Sequence, residues 1–214
     1  MIIKNLKTKA IILGSKILGE KDKFIFLYTR DHGKIKAVAK GALNINSRFN
    51  GTTETLNICD TELYKGPRNT ILTEIKVEKN YKELSENFRR ASSALLIAKM
   101  ANDMTFENVS QPQIFDLLIE TMSHISKNKK NILTSCAFVI KLLDIQGFIP
   151  DFKEDHSYHT KFSMKYTKLL HFMKTQPLSE IEKIAMTKEE EQTLKNIIKE
   201  VIETETNKPF TLPL

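Results

Sequence analysis

Apolar and polar residues alternate with a period of two through the first 80 residues, and afterwards the apolar period lengthens to that of a helix. Residues 7–15, 24–29, 34–40, 53–64 and 70–78 are rich in Ile, Val, Phe, Thr and Tyr and are separated by Gly, Asn and charged turns, which predicts five strands. In the last, Ile71, Thr73, Ile75 and Val77 share one face, and Glu74, Lys76 and Glu78 the other. Beyond residue 80, Leu84, Phe88, Ala91, Leu95 and Ala98 form the apolar stripe of a helix over about 81–104. A second helix, with Ser110 as its cap and Pro112 in its first turn, carries Ile114, Leu117, Leu118, Met122 and Ile125. A third, capped by Asn131, runs through Phe138, Leu142 and Leu143 to a stop at Gly147, with Pro150 beyond. Two more are predicted over 164–174 and 188–203, the latter opened by the capping-box pair Thr187 and Glu190. The expectation is an α+β chain: a five-stranded barrel over residues 1–80, for which the OB-fold is the leading candidate, then an α-helical bundle over 81–214.

Charge gives this division a chemical meaning. The chain holds 33 Lys and Arg against 26 Asp and Glu, a net charge of +7. Residues 1–80 contain 15 basic and 8 acidic side chains and residues 81–214 contain 18 of each, so the excess lies wholly in the first part. A localised excess of this kind is the footprint of a module that binds nucleic acid or another anionic surface. No apolar run approaches 18 residues, and the start Met1-Ile2-Ile3-Lys4-Asn5 is too polar for a signal peptide, so a cytosolic protein without membrane attachment is expected. The two cysteines, Cys59 and Cys136, cannot build a disulfide framework or a four-cysteine zinc site, and both sit in apolar or β-like runs as small buried hydrophobes.

The densest basic segment is Thr29-Arg30-Asp31-His32-Gly33-Lys34-Ile35-Lys36-Ala37-Val38-Ala39-Lys40-Gly41. Read as a turn followed by a strand, it points Ile35, Ala37 and Ala39 one way and Lys34, Lys36 and Lys40 the other, with Val38 between. The three ammonium groups would line about 20 Å of pleated surface, either a solvated face or a groove that tracks phosphates. Arg48, in the loop that follows, suits phosphate gripping or stacking on an unpaired base. Lys21, Lys23, Arg30 and Arg68 are weaker members of the same basic set, and Phe49 and Tyr64 are open to either stacking or core packing. No Gly-x-x-x-x-Gly-Lys, His-Glu-x-x-His or Gly-x-Ser-x-Gly motif occurs, and Glu189-Glu190-Glu191 is a helix-start feature, so no catalysis is expected.

Taken together, Ala10-Ile11-Ile12-Leu13, Gly19-Glu20-Lys21-Asp22-Lys23, Leu27-Tyr28-Thr29, His32-Gly33-Lys34, Val38-Ala39-Lys40-Gly41-Ala42 and Ser47-Arg48 resemble, in order and spacing, the N-terminal domain of the bacterial RecO recombination-mediator family. Leu142-Leu143-Asp144-Ile145-Gln146-Gly147-Phe148-Ile149-Pro150 resembles a helix end in the same family. The resemblance implies an N-terminal OB-fold, a helical C-terminal domain and no catalytic centre. It further implies binding to single- and double-stranded DNA, annealing of complementary strands, and loading of RecA onto single strands coated by single-strand-binding protein, in partnership with RecR and in association with the nucleoid. Lys36 and Lys40 fall at positions that are basic and implicated in DNA binding in the family. The resemblance also suggests that the acidic tail of single-strand-binding protein docks beside the helix ending at Gly147, with Lys141 meeting its carboxylates and Phe138 and Leu142 as either apolar walls or bundle core.

One departure is plain: the two Cys-x2-Cys pairs that family members often carry after the position of Pro150 are missing, and Asp151-Phe152-Lys153-Glu154-Asp155-His156-Ser157-Tyr158-His159 stands there instead. His156 and His159, with Asp151 or Asp155, make a conceivable metal site, but no second ligand pair follows. The expectation is no zinc, no cofactor, and a shortened module held by hydrophobic packing. A non-enzymatic adaptor with weak unspecific nucleic-acid affinity and a basic OB-fold RNA-binding protein are the alternative functions.

Overall fold

In the structure, a computed structural model describing residues 5–81, 84, 87–127, 131–152 and 156–207, the alternating first segment forms five strands: β1 (Asn5–Leu18), β2 (Asp22–Thr29), β3 (Gly33–Ala39), β4 (Ile58–Lys65) and β5 (Thr70–Lys79). They close into a barrel in the order β1-β2-β3-β5-β4, the OB-fold expected from the sequence. Every pairing is antiparallel except β3 with β5, which run parallel and meet only through Ala37–Thr70 and Val38–Ile71. β1 is long enough to serve both halves of the barrel, pairing with β4 over Asn5–Ile11 and with β2 over Ala10–Leu18. A register shift between Ile12 and Gly14 bends it in the middle, as a bulge does. Ala10, Ile12, Ile25, Leu27, Ile35, Ala37, Ala39, Cys59, Leu63 and Leu72 fill the interior, joined by Ala42 and Phe49 from the loop after β3.

Two strand readings are corrected. β4 begins at Ile58 rather than at residue 53, because residues 53–57 turn, with Leu56 at φ 75°. The single alternating face read for β5 breaks at a second register shift, where Glu62–Leu63 opposes Glu74–Leu72 and leaves Thr73 as the extra residue. Leu72, Ile75 and Val77 therefore face the core together, while Ile71 lies on the other side of the sheet beside Tyr64.

The helices are α1 (Phe88–Met104), α2 (Pro112–Lys127), α3 (Asn131–Ile145), α4 (His156–Lys161), α5 (Met164–Thr175), α6 (Leu178–Ile181) and α7 (Lys188–Thr206). The chain divides into two compact units, Met1–Glu86 with Ala98–Asp116, and Asn87–Ile97 with Leu117–Leu214. In this division residues 98–116 group with the barrel. The stripe expected on α1 is displaced. Phe88 and Leu95 are 78% and 52% exposed, while Ala94, Ile97, Ala98, Ala101 and Met104 are buried. α2 begins at Pro112, which puts Gln111 rather than Ser110 at the residue before it.

In the second unit α3 is buried on nearly every side, and α5, α6 and α7 pack on it. It ends as expected at Gly147, whose φ of 73° lets the Phe148 and Gly147 N–H groups donate to the Leu143 and Asp144 carbonyls, both at 2.9 Å. α7 opens with the Thr187–Glu190 capping box and buries Leu194, Ile197, Ile198, Val201 and Ile202 along one stripe. After Pro150, Phe152, Tyr158 and Phe162 pack ring to ring with centroids 5.0 and 5.8 Å apart. Among the described residues no helix is long and apolar enough to cross a membrane.

Candidate nucleic-acid interface

Strand alternation sets the side chains of the β2–β3 hairpin on two faces. Ile25, Leu27, Ile35, Ala37 and Ala39 point inward, and the outer face carries Phe24, Phe26 and Tyr28 opposite Val38, Lys36 and Lys34 in register. β1 extends this outer face by placing Lys16 opposite Phe24 and Gly14 opposite Phe26. The expected row of three lysines is therefore divided. Lys36 is exposed, with its ammonium 3.9 Å from the centre of the Phe24 ring. Lys40 is exposed but lies just past the strand, in the turn that begins the next loop. Val38, between them, is buried.

Lys34 keeps its place on that outer face but is half-buried, and its ammonium donates to the Asn102 carbonyl at 2.5 Å. The segment after α1 lies along this end of the hairpin. Asn108 N–H donates to the Lys34 carbonyl at 2.9 Å, the Tyr28 hydroxyl donates to the Gln111 carbonyl at 3.2 Å, and Arg30 pairs with Asp116 at 3.5 Å. Gly33 is needed here: with φ at 68°, a Cβ on it would stand 1.8 Å from the Val109 carbonyl oxygen. Enclosure pushes the Tyr28 hydroxyl pKa up to about 12. Arg30 and Lys34 thus belong to the packed end of the hairpin.

The opposite end is open and basic. The β1–β2 turn supplies Lys21, β2 begins with Asp22 and Lys23, and Lys23 is in register with Ala39 at the end of β3. Asp22 accepts the Gly41 N–H at 2.7 Å, and the Leu43 N–H donates to the Lys21 carbonyl at 2.9 Å, so the loop after β3 is tied to the β1–β2 turn. β5 starts at Thr70 beside Ala37, and Arg68 lies in the β4–β5 turn just before it. Arg48 lies in the tied loop with its guanidinium 5.1 Å from the Phe49 ring. Among the described residues, none of Lys16, Lys21, Lys23, Lys36, Lys40, Arg48 and Arg68 makes an ion pair.

The two aromatic residues left open by the sequence have exchanged places with two that it passed over. Phe49 is 2% exposed in the barrel core and offers no stacking surface. Tyr64 is outside that core, half-buried on the outer face opposite Ile71 and Asn5. Phe24 and Phe26, half-buried on the outer face, are the rings next to Lys36. Their signal was present as a Phe-x-Phe-x-Tyr alternation in β2, opposite in phase to Ile25 and Leu27.

In the helical unit, Phe138 and Leu142 have no exposed surface and are bundle core, which removes them as walls of a groove. Lys141 is half-buried, donates to the Lys174 carbonyl at 3.2 Å, and has its pKa lowered by desolvation. Lys174 pairs with Asp144 at 3.0 Å. Cys59 and Cys136 are buried, and burial pushes both thiols up to about 12, which suits inert core residues. Of the conceivable metal ligands, Asp155 and the His156 side chain lie outside the described residues, and Asp151 pairs with His171 at 3.6 Å. Among the described residues no three His, Cys, Asp or Glu side chains converge.

Comparison with known proteins gives matches to two consecutive family models. Residues 1–81 match the N-terminal domain of recombination protein O and residues 85–167 match its C-terminal domain. The chain is 29% identical over 148 residues to the DNA repair protein RecO of Syntrophobacter fumaroxidans, covering 69% of this chain and 59% of the relative. It is 26% identical over 157 residues to that of Dehalococcoides mccartyi strain 195, covering 73% and 62%, and 29% identical over 145 residues to that of Heliobacterium modesticaldum, covering 68% and 52%. The matched region spans about half to three fifths of the length of these curated relatives.

Proposed function

The chain belongs to the recombination protein O family of DNA repair and recombination proteins, and from that premise we propose that it is a non-enzymatic mediator whose barrel holds DNA on the open end of the β2–β3 face. One observation carries the reading. The β2–β3 hairpin with the adjoining part of β1 combines two half-buried outer rings, Phe24 and Phe26, with Lys16, Lys23 and Lys36, which make no ion pair among the described residues, on the sheet face where an OB-fold takes oligonucleotides. Lys36, Lys40, Lys21 and Arg48 are proposed as the principal phosphate contacts, with Lys16, Lys23 and Arg68 at the margin. Phe24 and Phe26 provide sequence-tolerant stacking surfaces for unpaired bases. The Lys36 ammonium rests on Phe24 in the free protein, an exposed contact worth only about 0.5–1 kcal/mol, so an arriving base can take the ring while the ammonium turns to a phosphate.

Such a surface grips the backbone without reading sequence, which fits the proposed binding of both single- and double-stranded DNA and the annealing of complementary strands. Loading of RecA onto strands coated by single-strand-binding protein, with RecR as a partner, is proposed as the wider role. The helical unit is proposed to dock the acidic tail of single-strand-binding protein, with Lys141 a candidate for its carboxylates. The test is a strand-annealing assay on DNA coated by the cognate single-strand-binding protein. The wild-type chain is expected to anneal at catalytic amounts and the Lys36→Ala/Lys40→Ala variant to anneal slowly. Equal rates would place the DNA elsewhere, and recruitment to the coated strand without annealing would make the chain an adaptor.

A further inference from the structure

We propose that the tip of the loop between β3 and β4 is an apolar wedge that enters the base stack where a DNA duplex opens into single strands. The proposal rests on the DNA-binding reading above and adds to it a part for Ile45, which is 94% exposed. A single exposed aliphatic side chain is ordinary on a protein surface. This one differs in how firmly it is presented and in what surrounds it.

The loop is anchored on both sides of Ile45. Ala42 and Phe49 are buried in the barrel core, and the backbone between them is closed by Asn44 N–H to the Gly41 carbonyl at 3.1 Å and Ser47 N–H to the Asn44 carbonyl at 3.0 Å. The Asn50 side-chain amide donates to the Ile45 carbonyl itself at 2.6 Å. The isoleucine is thus held out on an ordered scaffold, and contact with a ligand costs little further ordering. Two more aliphatic side chains are exposed at this end of the barrel, Ile17 at 65% near the end of β1 and Leu43 at 37%.

The surroundings select the occupant. Lys40 precedes the loop, Arg48 follows the tip, Lys21 accepts the Leu43 N–H through its carbonyl, and residues 41–53 contain no acidic side chain. Glu20 is in the adjoining turn, and the neighbouring Asp22 carboxylate is engaged by the Gly41 N–H. An apolar tip on a loop flanked in sequence by Lys40 and Arg48 and free of acidic side chains complements a polyanion with an apolar interior, and a base stack flanked by phosphates has that character. Unstacking a base step costs a few kcal/mol within a duplex, and least where the terminal pair is already open on one side. A junction between duplex and single strand is therefore the favoured seat, and the cations continuous with Lys36 and Lys40 would lead the single strand away along the barrel face.

The experiment uses the full chain with three oligonucleotides: a single strand, a blunt duplex, and a duplex with a single-stranded overhang carrying 2-aminopurine in its terminal pair. Wild type is expected to raise the 2-aminopurine fluorescence and to prefer the junction over the blunt duplex about fivefold, the effect of withdrawing part of an isoleucine from water. Ile45→Ala, at a position too exposed to matter for folding, should abolish the fluorescence rise and the preference while keeping single-strand affinity within about twofold. Unchanged fluorescence and preference in Ile45→Ala would overturn the wedge and leave the DNA-binding face standing, whereas failure of wild type to bind any of the three DNAs would overturn both. If Ile45→Ala instead loses binding to phosphatidylglycerol vesicles and keeps the junction preference, the tip is a lipid anchor and the wedge is wrong.

Discussion

The β2–β3 face of the barrel and the β1–β4–β5 face are both rich in lysine, and they differ in how part of it is held. On the β1–β4–β5 side Lys7 pairs with Glu62, and Lys9 reaches both carboxylate oxygens of Glu78 at 2.7 and 2.8 Å. Those contacts hold the Lys7 and Lys9 ammonium groups above the ordinary lysine range and the Glu78 carboxyl below the ordinary glutamate range. On the β2–β3 side the exposed lysines have aromatic rings and turns as neighbours. A lysine that already has its carboxylate carries no net charge to offer a phosphate, which separates Lys7 and Lys9 from Lys36, while Lys65, Lys76 and Lys79 on β4 and β5 make no ion pair among the described residues.

Three substitutions probe this contrast. The largest effect is expected from Lys36→Ala/Lys40→Ala. Four phosphate contacts predict a slope near −3 for log K of single-stranded DNA against log salt, from about −0.7 per contact, and removing two should make it shallower by about 1.4, equivalent to roughly 25-fold in affinity for each decade of salt. A titration series across salt concentrations measures it, and the same pair of changes at Lys7 and Lys9 should leave the slope where it was. The middle effect is expected from Phe24→Ala: single-strand affinity falls by about 1–3 kcal/mol, read by fluorescence anisotropy, with the salt slope unchanged because no phosphate contact is lost. The smallest effect on DNA and the clearest on the fold is expected from Lys34→Ala. Losing a half-buried charged donor costs about 1.5–3 kcal/mol, a fall in Tm of about 3–12 °C by calorimetry, while the slope stays within error of wild type. A slope reduced as much by Lys34→Ala as by Lys36→Ala would return Lys34 to the interface.

Local signals fixed much of this in advance. The order of strands and helices, the Gly147 stop and the Thr187–Glu190 cap were legible because each depends on a few neighbouring residues. What escaped depends on partners distant in sequence. Nothing near Lys34 announces that Asn102 will take its ammonium, and nothing near Phe49 announces that the barrel core has room for its ring. The bulge at Thr73 undoes an alternation that was perfect as written, because a register shift is a property of two strands. On α1 the expected stripe is buried only in part: Ala98 is buried, Phe88 and Leu95 are exposed, and Ala94, Ile97, Met100, Ala101 and Met104 are buried instead, a choice made by the partners the helix packs on. Phe138 and Leu142 were equally good as core or groove by sequence, and only the helices around α3 decide between them.

The parallel meeting of β3 and β5 through two residue pairs has a dynamic consequence. The other seams of the barrel are laced by seven or more pairs, so the backbone has one line along which it parts at small cost. Two of the four residues on that line, Ala37 and Val38, sit immediately after Lys36, and the other two follow the turn that carries Arg68. Breathing of this seam would change the width of the proposed DNA track. If DNA lies on the proposed track, such a seam would let the same side chains seat strands of different girth, single or paired.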